Sequence, residues 1–416
     1  FYNKSGMLFL ALTLVLIGVY PFFISGQLEN SLVRWMILVL AGSTLVDYFF
    51  LGKYRVLLTA NQEGYVVALI QAAGTIVNMV VSIFLIYIGA GVLFVKAVAT
   101  GVYMLRLVLV KIYVKRKYPA LDFYAEPNEG ALKQKNAALL HQVVGIIVNN
   151  TDTTVLTICL GAKSLLEVSV YGIYMMVVNA VNQLMTSFSN GLTAGFGEVI
   201  AKNEEETLKK SYSSYEYMYF VIMFIVIACM GVLILPFVGV YTINLTDVQY
   251  VRPVLGILFT LIVFMQNVRI PGLTIICAAG HYKETRYQAI LEAVINITVS
   301  LGLVWKFGMA GVLLGTVCSY GYRSFEIVFY TSRHLVKGCA KKSMFRILRN
   351  VFTVAILCTV GTYVIPQEIT SFTTWFLYAI GMGLTSVFFV VVINYVVEPD
   401  EFMQLRHRVN DIIKKE

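Results

Sequence analysis

Stretches of about 20 apolar residues, enough to cross the hydrocarbon core of a bilayer as a helix, recur along the whole sequence and restrict its fold more than any other feature. Bounded by charge, Pro or Gly, twelve are read: Gly6 to Ile24, Leu32 to Leu51, Tyr65 to Ile88, Ala90 to Val114, Ala138 to Leu160, Val168 to Ser189, Tyr215 to Val240, Pro253 to Cys277, Tyr287 to Trp305, Met309 to Tyr330, Ile347 to Ile365 and Trp375 to Val397. The sixth is expected to run on as helix through Gly191, Gly195 and Gly197. Soluble domains put about a quarter of their residues into charged side chains, whereas this chain has 13% charged and 58% hydrophobic residues and a mean hydropathy of +0.77. Such a chain has too little polar surface to cover itself in water. In lipid each backbone polar group must be bonded within the chain, and for runs of this length the helix does that. The expected class is all-α integral membrane.

The net charge of +9 points away from nucleic acid once its placement is considered. Lys and Arg fall on alternate loops, as they do when cytoplasmic loops carry the positive charge. One set holds Lys4; Lys53 and Arg55; Lys111 to Lys135; Lys202 to Lys210; Lys283 and Arg286; Arg333 to Arg349; and Arg406 to Lys415. The opposite set holds only Lys163, Arg252 and Lys306. Both termini are therefore expected in the cytoplasm, with the basic loops against anionic lipid headgroups. The longest exterior loop runs only from about Thr242 to Arg252, which leaves no exterior domain. A membrane polysaccharide polymerase or lipid-linked-sugar glycosyltransferase would be expected to place its acid and base residues on such a domain, so the chain is read as a non-enzyme with no catalytic residues. The six cysteines show no CxxC spacing and are read as small buried hydrophobes, with no metal site and no cofactor.

Displacing the chain against itself by 218 positions brings Ala60 onto Ala278, Asn78 onto Asn296 and Ser82 onto Ser300. After a two-residue insertion Ala90-Gly91-Val92-Leu93 falls on Ala310-Gly311-Val312-Leu313. A shift spanning six helices relates two halves of the same orientation, the parallel type of transporter repeat. The domains then read as 1–114, with four of six helices of a first lobe; 115–137, a basic linker; 138–331, a six-helix second lobe; and 332–416, a basic loop, two further helices and a tail. Two helices are expected to be missing at the front, in keeping with Phe1 where a native start would have Met.

Three loose motifs then carry a family resemblance: Leu57-Leu58-Thr59-Ala60-Asn61-Gln62 with Gly64-Tyr65; Asn149-Asn150-Thr151-Asp152 with Gly161 and Val170-Tyr171-Gly172; and Ile276-Cys277-Ala278-Ala279-Gly280. With the helix pattern around them, the chain resembles the polysaccharide-transporter branch of the multidrug/oligosaccharidyl-lipid/polysaccharide exporter superfamily, the Wzx-like flippases. The resemblance implies a MATE-like fold of two pseudo-symmetric six-helix bundles and two C-terminal helices. It implies movement of undecaprenyl-pyrophosphate-linked oligosaccharides across the bacterial cytoplasmic membrane for surface polysaccharide synthesis, alongside a polymerase and export machinery. The alternative within the superfamily is a cation-coupled multidrug antiporter. An acidic cavity would favour the antiporter, a basic one the flippase.

Ionisable side chains inside a span need a partner or a water-filled cavity. Arg34 and Lys96 lie near outer helix ends, and Asp47, His141 and Glu292 near inner ends, where interfacial anchoring explains them; Asp47 and Glu292 are also coupling-ion candidates, and Arg34, like Arg323, is also a candidate for contact with substrate in the cavity. Arg323 and Glu326 are spaced to pair. Arg269 sits deep in a span two residues before Pro271, which is expected to leave free backbone beside a guanidinium suited to phosphate; the alternative is a buried ion pair. Asp152, with Asn149 one turn away and Thr151, Thr153 and Thr154 around it, forms a wet patch in mid-span. It is read as a site for a coupling H+ or Na+ or for sugar hydroxyls, or as a hydrogen-bond cluster joining helices. Tyr171 and Tyr174 are candidates for stacking on sugar rings.

Overall fold

The computed structural model describes residues 2–23, 30–119, 135–161, 164–189, 192–366 and 368–404. The segment 120–134 of the expected linker and the basic residues Lys133, Lys163, Arg406, Arg408, Lys414 and Lys415 lie outside the described residues. Among the described residues every regular element is a helix: α1 (Tyr2–Phe23), α2 (Asn30–Val46), α3 (Gly52–Ala60), α4 (Gly64–Tyr87), α5 (Val92–Lys117), α6 (Lys135–Cys159), α7 (Ser164–Ser189), α8 (Leu192–Ala201), α9 (Glu205–Tyr241), α10 (Pro253–Val268), α11 (Ile270–Ala278), α12 (Arg286–Phe307), α13 (Met309–His334), α14 (Ala340–Val364) and α15 (Phe372–Val397). Each of the twelve apolar runs lies on one or two of these helices. Among the described residues nine stretches are long and apolar enough to cross a membrane. The helices α6 and α13 fall short because they carry the asparagines, threonines, Asp152, Arg323 and Glu326 on which the functional argument turns.

The chain divides into two compact units, Phe1–Pro127 and Asn128–Glu416. In the first, a π-helical turn at Asp47–Leu51 joins α2 to α3, and a small core of Leu51, Tyr54, Leu58, Val110 and Val114 packs α3 on α5. In the second, the 37-residue α9 runs through the core, presenting Phe220, Met223, Phe224 and Ile227 to its neighbours. Residues such as Ile83, Phe84 and Ile86 in the first unit and Phe352, Phe388 and Val396 in the second are exposed, as is expected where lipid is the solvent.

The tightest helix pair in the second unit is α12 with α13. Gly308, at φ +57, makes the turn between them, a conformation in which a Cβ is penalised. Further along, a Cβ on Gly315 would lie 2.1 Å from Ser300 Oγ and 2.7 Å from Ser300 N, and one on Gly311 would lie 2.4 Å from the Leu303 carbonyl oxygen. Backbone cannot yield to a methyl group, so Gly315→Val is expected to force the helices apart at a cost of about 1–3 kcal/mol. Thermal melting of the purified protein should show the loss, and an unchanged melting temperature would mean that these helices do not meet at Gly315.

Candidate functional site

The break between α10 and α11 comes from Pro271, which has no N–H for the Asn267 carbonyl one turn back. The Arg269 N–H turns to Asn267 O instead, and Met265 O, which that N–H would otherwise serve, accepts from Ser324 Oγ at 2.6 Å. The free backbone expected beside Arg269 is therefore occupied, because a side chain of α13 supplies the missing donor. What the break does is hold the Arg269 guanidinium at the junction, facing α12 and α13.

There Arg269 Nη1 donates to Glu292 Oε1, and its guanidinium lies over the Tyr320 ring, 4.5 Å from the centroid. Glu292 Oε2 is 3.6 Å from Arg323 Nε, and Arg323 Nη1 donates to Glu326. Two guanidiniums and two carboxylates form one chain of charges across successive helices, from the α10–α11 break through α12 to α13. Glu292 is only 7% exposed and Arg323 only 3%, so the Glu292 carboxylate, near the start of α12, is held by guanidiniums inside the bundle and not by solvent. His141 is half-buried against the Tyr282 carbonyl at 2.9 Å. All of these groups but Glu326 line a cavity of about 290 Å3 with Asn149, Cys277 and Tyr282. Arg269 Nε is buried there with no partner.

A second cavity, of about 380 Å3, adjoins the first through shared walls of Val148, Asn149 and Tyr320. It holds Asp152, only 4% exposed, which accepts from Thr316 Oγ1 at 2.7 Å and Tyr171 OH at 3.3 Å. Thr316 accepts in turn from Asn296 Nδ2 at 3.0 Å. Asn179, Asn182 and Gln266 complete a polar lining that contains one carboxylate and no cationic side chain. Hydrogen-bonded oxygens around a lone carboxylate can take a proton or a small hard cation. The Tyr320 hydroxyl bonds to Asn149 Oδ1 at 3.0 Å, so the wall between the cavities hangs on one tyrosine that is also stacked on Arg269.

Six of the candidates read from the sequence, Arg269, Asp152, Asn149, Arg323, Tyr171 and Glu292, thus gather around two adjoining cavities of the second unit. The other two lie in the first unit: Arg34 is exposed on α2, and Asp47 pairs with Arg55 at 3.1 Å beside the π-helical turn. Tyr174 is fully buried, its ring stacked on Phe259 at 5.0 Å and its hydroxyl on the Tyr250 carbonyl, so it lines neither cavity. Sequence reasoning missed Tyr320, one of many aromatics on an apolar face. It also missed the buried cluster of Glu216, Arg346, Arg349, Glu398 and Glu401 at one end of α9, α14 and α15. The available signal was Glu216, a carboxylate placed inside the seventh apolar run.

No family model matches the chain, and no curated protein does. Among solved structures it is similar to the lipid II flippase MurJ in its inward-closed conformation, with a TM-score of 0.63 and 15% identity over 95% of this chain and 82% of that one. The chain has the fold of these membrane transporters. A MATE transporter in the bent conformation matches with a TM-score of 0.57 and 15% identity, over 85% of this chain and 78% of that chain. The Vibrio cholerae MATE transporter VcmN, in its bent form, matches with a TM-score of 0.54 and 10% identity, over 86% of this chain and 79% of that chain. Fold alone does not set the cargo, which must be argued from the cavities.

Proposed function

We propose that the chain is a flippase that carries undecaprenyl-pyrophosphate-linked oligosaccharides across the bacterial cytoplasmic membrane by alternating access, for surface polysaccharide synthesis. The observation that carries this reading is the pair of guanidiniums, Arg269 and Arg323, on a cavity within a membrane-spanning unit, one of them with an unbonded N–H. Guanidinium groups are suited to phosphate oxygens by their planar, forked donors, and an isoprenoid tail can remain in the bilayer while the headgroup is held. The likeness to MurJ, a lipid II flippase by name, supports a lipid-linked cargo. In this reading Asp152 receives the coupling H+ or Na+, and Asn149, with the amides of the second cavity, faces the sugar.

One observation favours a second reading. The Asp152 cavity is polar and lacks a cationic side chain, as suits a cation-coupled multidrug exporter. Complementation separates the two. The protein should restore polymer export to a strain lacking its oligosaccharide flippase and leave drug sensitivity unchanged; resistance to cationic drugs without polymer would favour the exporter. Asp152→Asn, which keeps hydrogen bonding but removes the titratable charge, is expected to slow export at least about tenfold, the effect of losing roughly 1.4 kcal/mol of coupling. Export at the normal rate would remove Asp152 from the coupling step.

Orientation belongs to the same proposal. Cysteines placed at Lys337 and Gly338, in the basic segment before α14, should be protected from impermeant maleimide in intact cells. Labelling from outside would reverse the topology.

A further inference from the structure

Empty, this carrier faces a problem that its residues address. A site with two guanidiniums must close around its anion and also return without it, and unpaired guanidiniums in the membrane interior are costly. In the structure the anion's place between Arg269 and Arg323 is taken by Glu292, whose two carboxylate oxygens face the two guanidiniums. Glu326 holds Arg323 from the far side and does not line the cavity, so only Glu292 stands where a ligand would have to enter. The Arg269 Nε–H, buried and unbonded, marks a donor that the carboxylate leaves unused and that a tetrahedral oxyanion could reach.

We infer that Glu292 is a built-in competitor for the anionic headgroup, displaced from Arg269 and Arg323 when a pyrophosphate binds and protonated once displaced. The inference rests on the proposed headgroup site and adds its regulation. A carboxylate parted from both guanidiniums in a low-dielectric cavity is an unpaired buried charge. It is relieved when a proton from solvent adds to one carboxylate oxygen. One anionic headgroup and one proton then enter together, and binding strengthens as pH falls. The titratable groups facing Glu292 are His141 on α6, Cys277 on α11, Tyr282 before α12, and Tyr320 and Glu326 on α13; the thiol and the phenols already carry their protons near neutral pH, which leaves His141 and Glu326 to take this one instead. His141, with a side chain that ordinarily titrates near neutrality, is the rival to be tested.

The test is calorimetric titration of the full chain in nanodiscs with inorganic pyrophosphate, in two buffers of different ionisation enthalpy. Nanodiscs carrying undecaprenyl pyrophosphate form a second arm, with inorganic pyrophosphate as its competitor. Wild-type protein should take up about one more proton per pyrophosphate than Glu292→Gln, and Glu292→Gln should bind at least about tenfold more tightly, the scale on which close charge pairs resist separation. His141→Gln should keep the uptake. Equal proton uptake and equal affinity in wild type and Glu292→Gln would overturn the competitor while leaving the headgroup site standing. Wild-type binding undiminished in Arg269→Ala would overturn the headgroup site itself. Should Glu292→Gln not accumulate, the proton count of wild type against His141→Gln decides, an uptake lost in His141→Gln contradicting the assignment. The signature with inorganic pyrophosphate alone supports a competitor for a free anion; the signature in both arms supports one for a lipid headgroup.

Discussion

Arg346→Ala should remove the protein from the membrane. The side chain is 1% exposed. Its Nη1 donates to Glu216 and to the Ser213 carbonyl, both at 3.0 Å, and Nε and Nη2 donate to Glu398 Oε2 at 3.0 and 2.7 Å. One guanidinium therefore ties α14 to α9 and to the end of α15. Truncating it leaves Glu216 buried and unpaired and Glu398 with fewer donors, a loss on the order of 3–5 kcal/mol when one partner of a buried pair is removed. Since folded proteins are stable by only about 5–15 kcal/mol, immunoblots of membranes should show little or no Arg346→Ala protein. Normal abundance would mean that the last helix pair is held without Arg346, by apolar packing and the remaining contacts of Lys342 and Arg349.

The same cluster sets a pH dependence. Burial pushes the Glu398 carboxyl up, but the hydrogen bonds and positive charges of Arg346 and Arg349 together outweigh it and hold the group below the usual range. Glu401 is likewise raised by burial, and the hydrogen bonds from Lys342 and Ser213 with the charges of Lys342 and Arg346 together bring it below that range. A carboxylate titrating lower in the folded than in the unfolded state stabilises above its unfolded value, and that stability is lost as pH falls through the folded one. The docking of α14 and α15 should therefore be insensitive to pH near neutrality and loosen only in acid, below the ordinary carboxylate range of about 4.

Arg269→Ala should behave in the opposite way: export abolished, protein retained. Glu292 keeps Arg323 within 3.6 Å, so losing Arg269 does not leave that carboxylate alone, and the freed volume opens onto an existing cavity. Arg269→Lys should rescue only in part, because an ammonium keeps the charge but loses the planar fork. Membrane immunoblot and export assay, read together, separate this outcome from a structural one. Loss of the protein would make Arg269 a buried ion-pair partner and nothing more.

The long helices were legible because hydrophobicity is a local property and a bilayer demands about 20 residues of it. The Arg323–Glu326 pair was legible for a related reason, since three residues on one helix is a fixed distance. Pairings across the fold were not: Arg269 meets Glu292, Asp152 meets Thr316 and Arg346 meets Glu216 through helix packing that periodicity does not encode. Arg346 was counted with a basic loop, yet it is among the most buried side chains, because three carboxylates draw it inward.

Reconstitution of the full chain in proteoliposomes with an undecaprenyl-pyrophosphate-linked oligosaccharide, whose exposure on the opposite leaflet is followed with an impermeant lectin, shows whether an Arg269-dependent site moves a pyrophosphate-linked lipid. Wild type should translocate the lipid, Arg269→Ala at equal protein incorporation should not, and a sugar lipid lacking phosphate should stay where it is. Translocation by Arg269→Ala at the wild-type rate, or equal movement of the uncharged lipid, would rule out such a site.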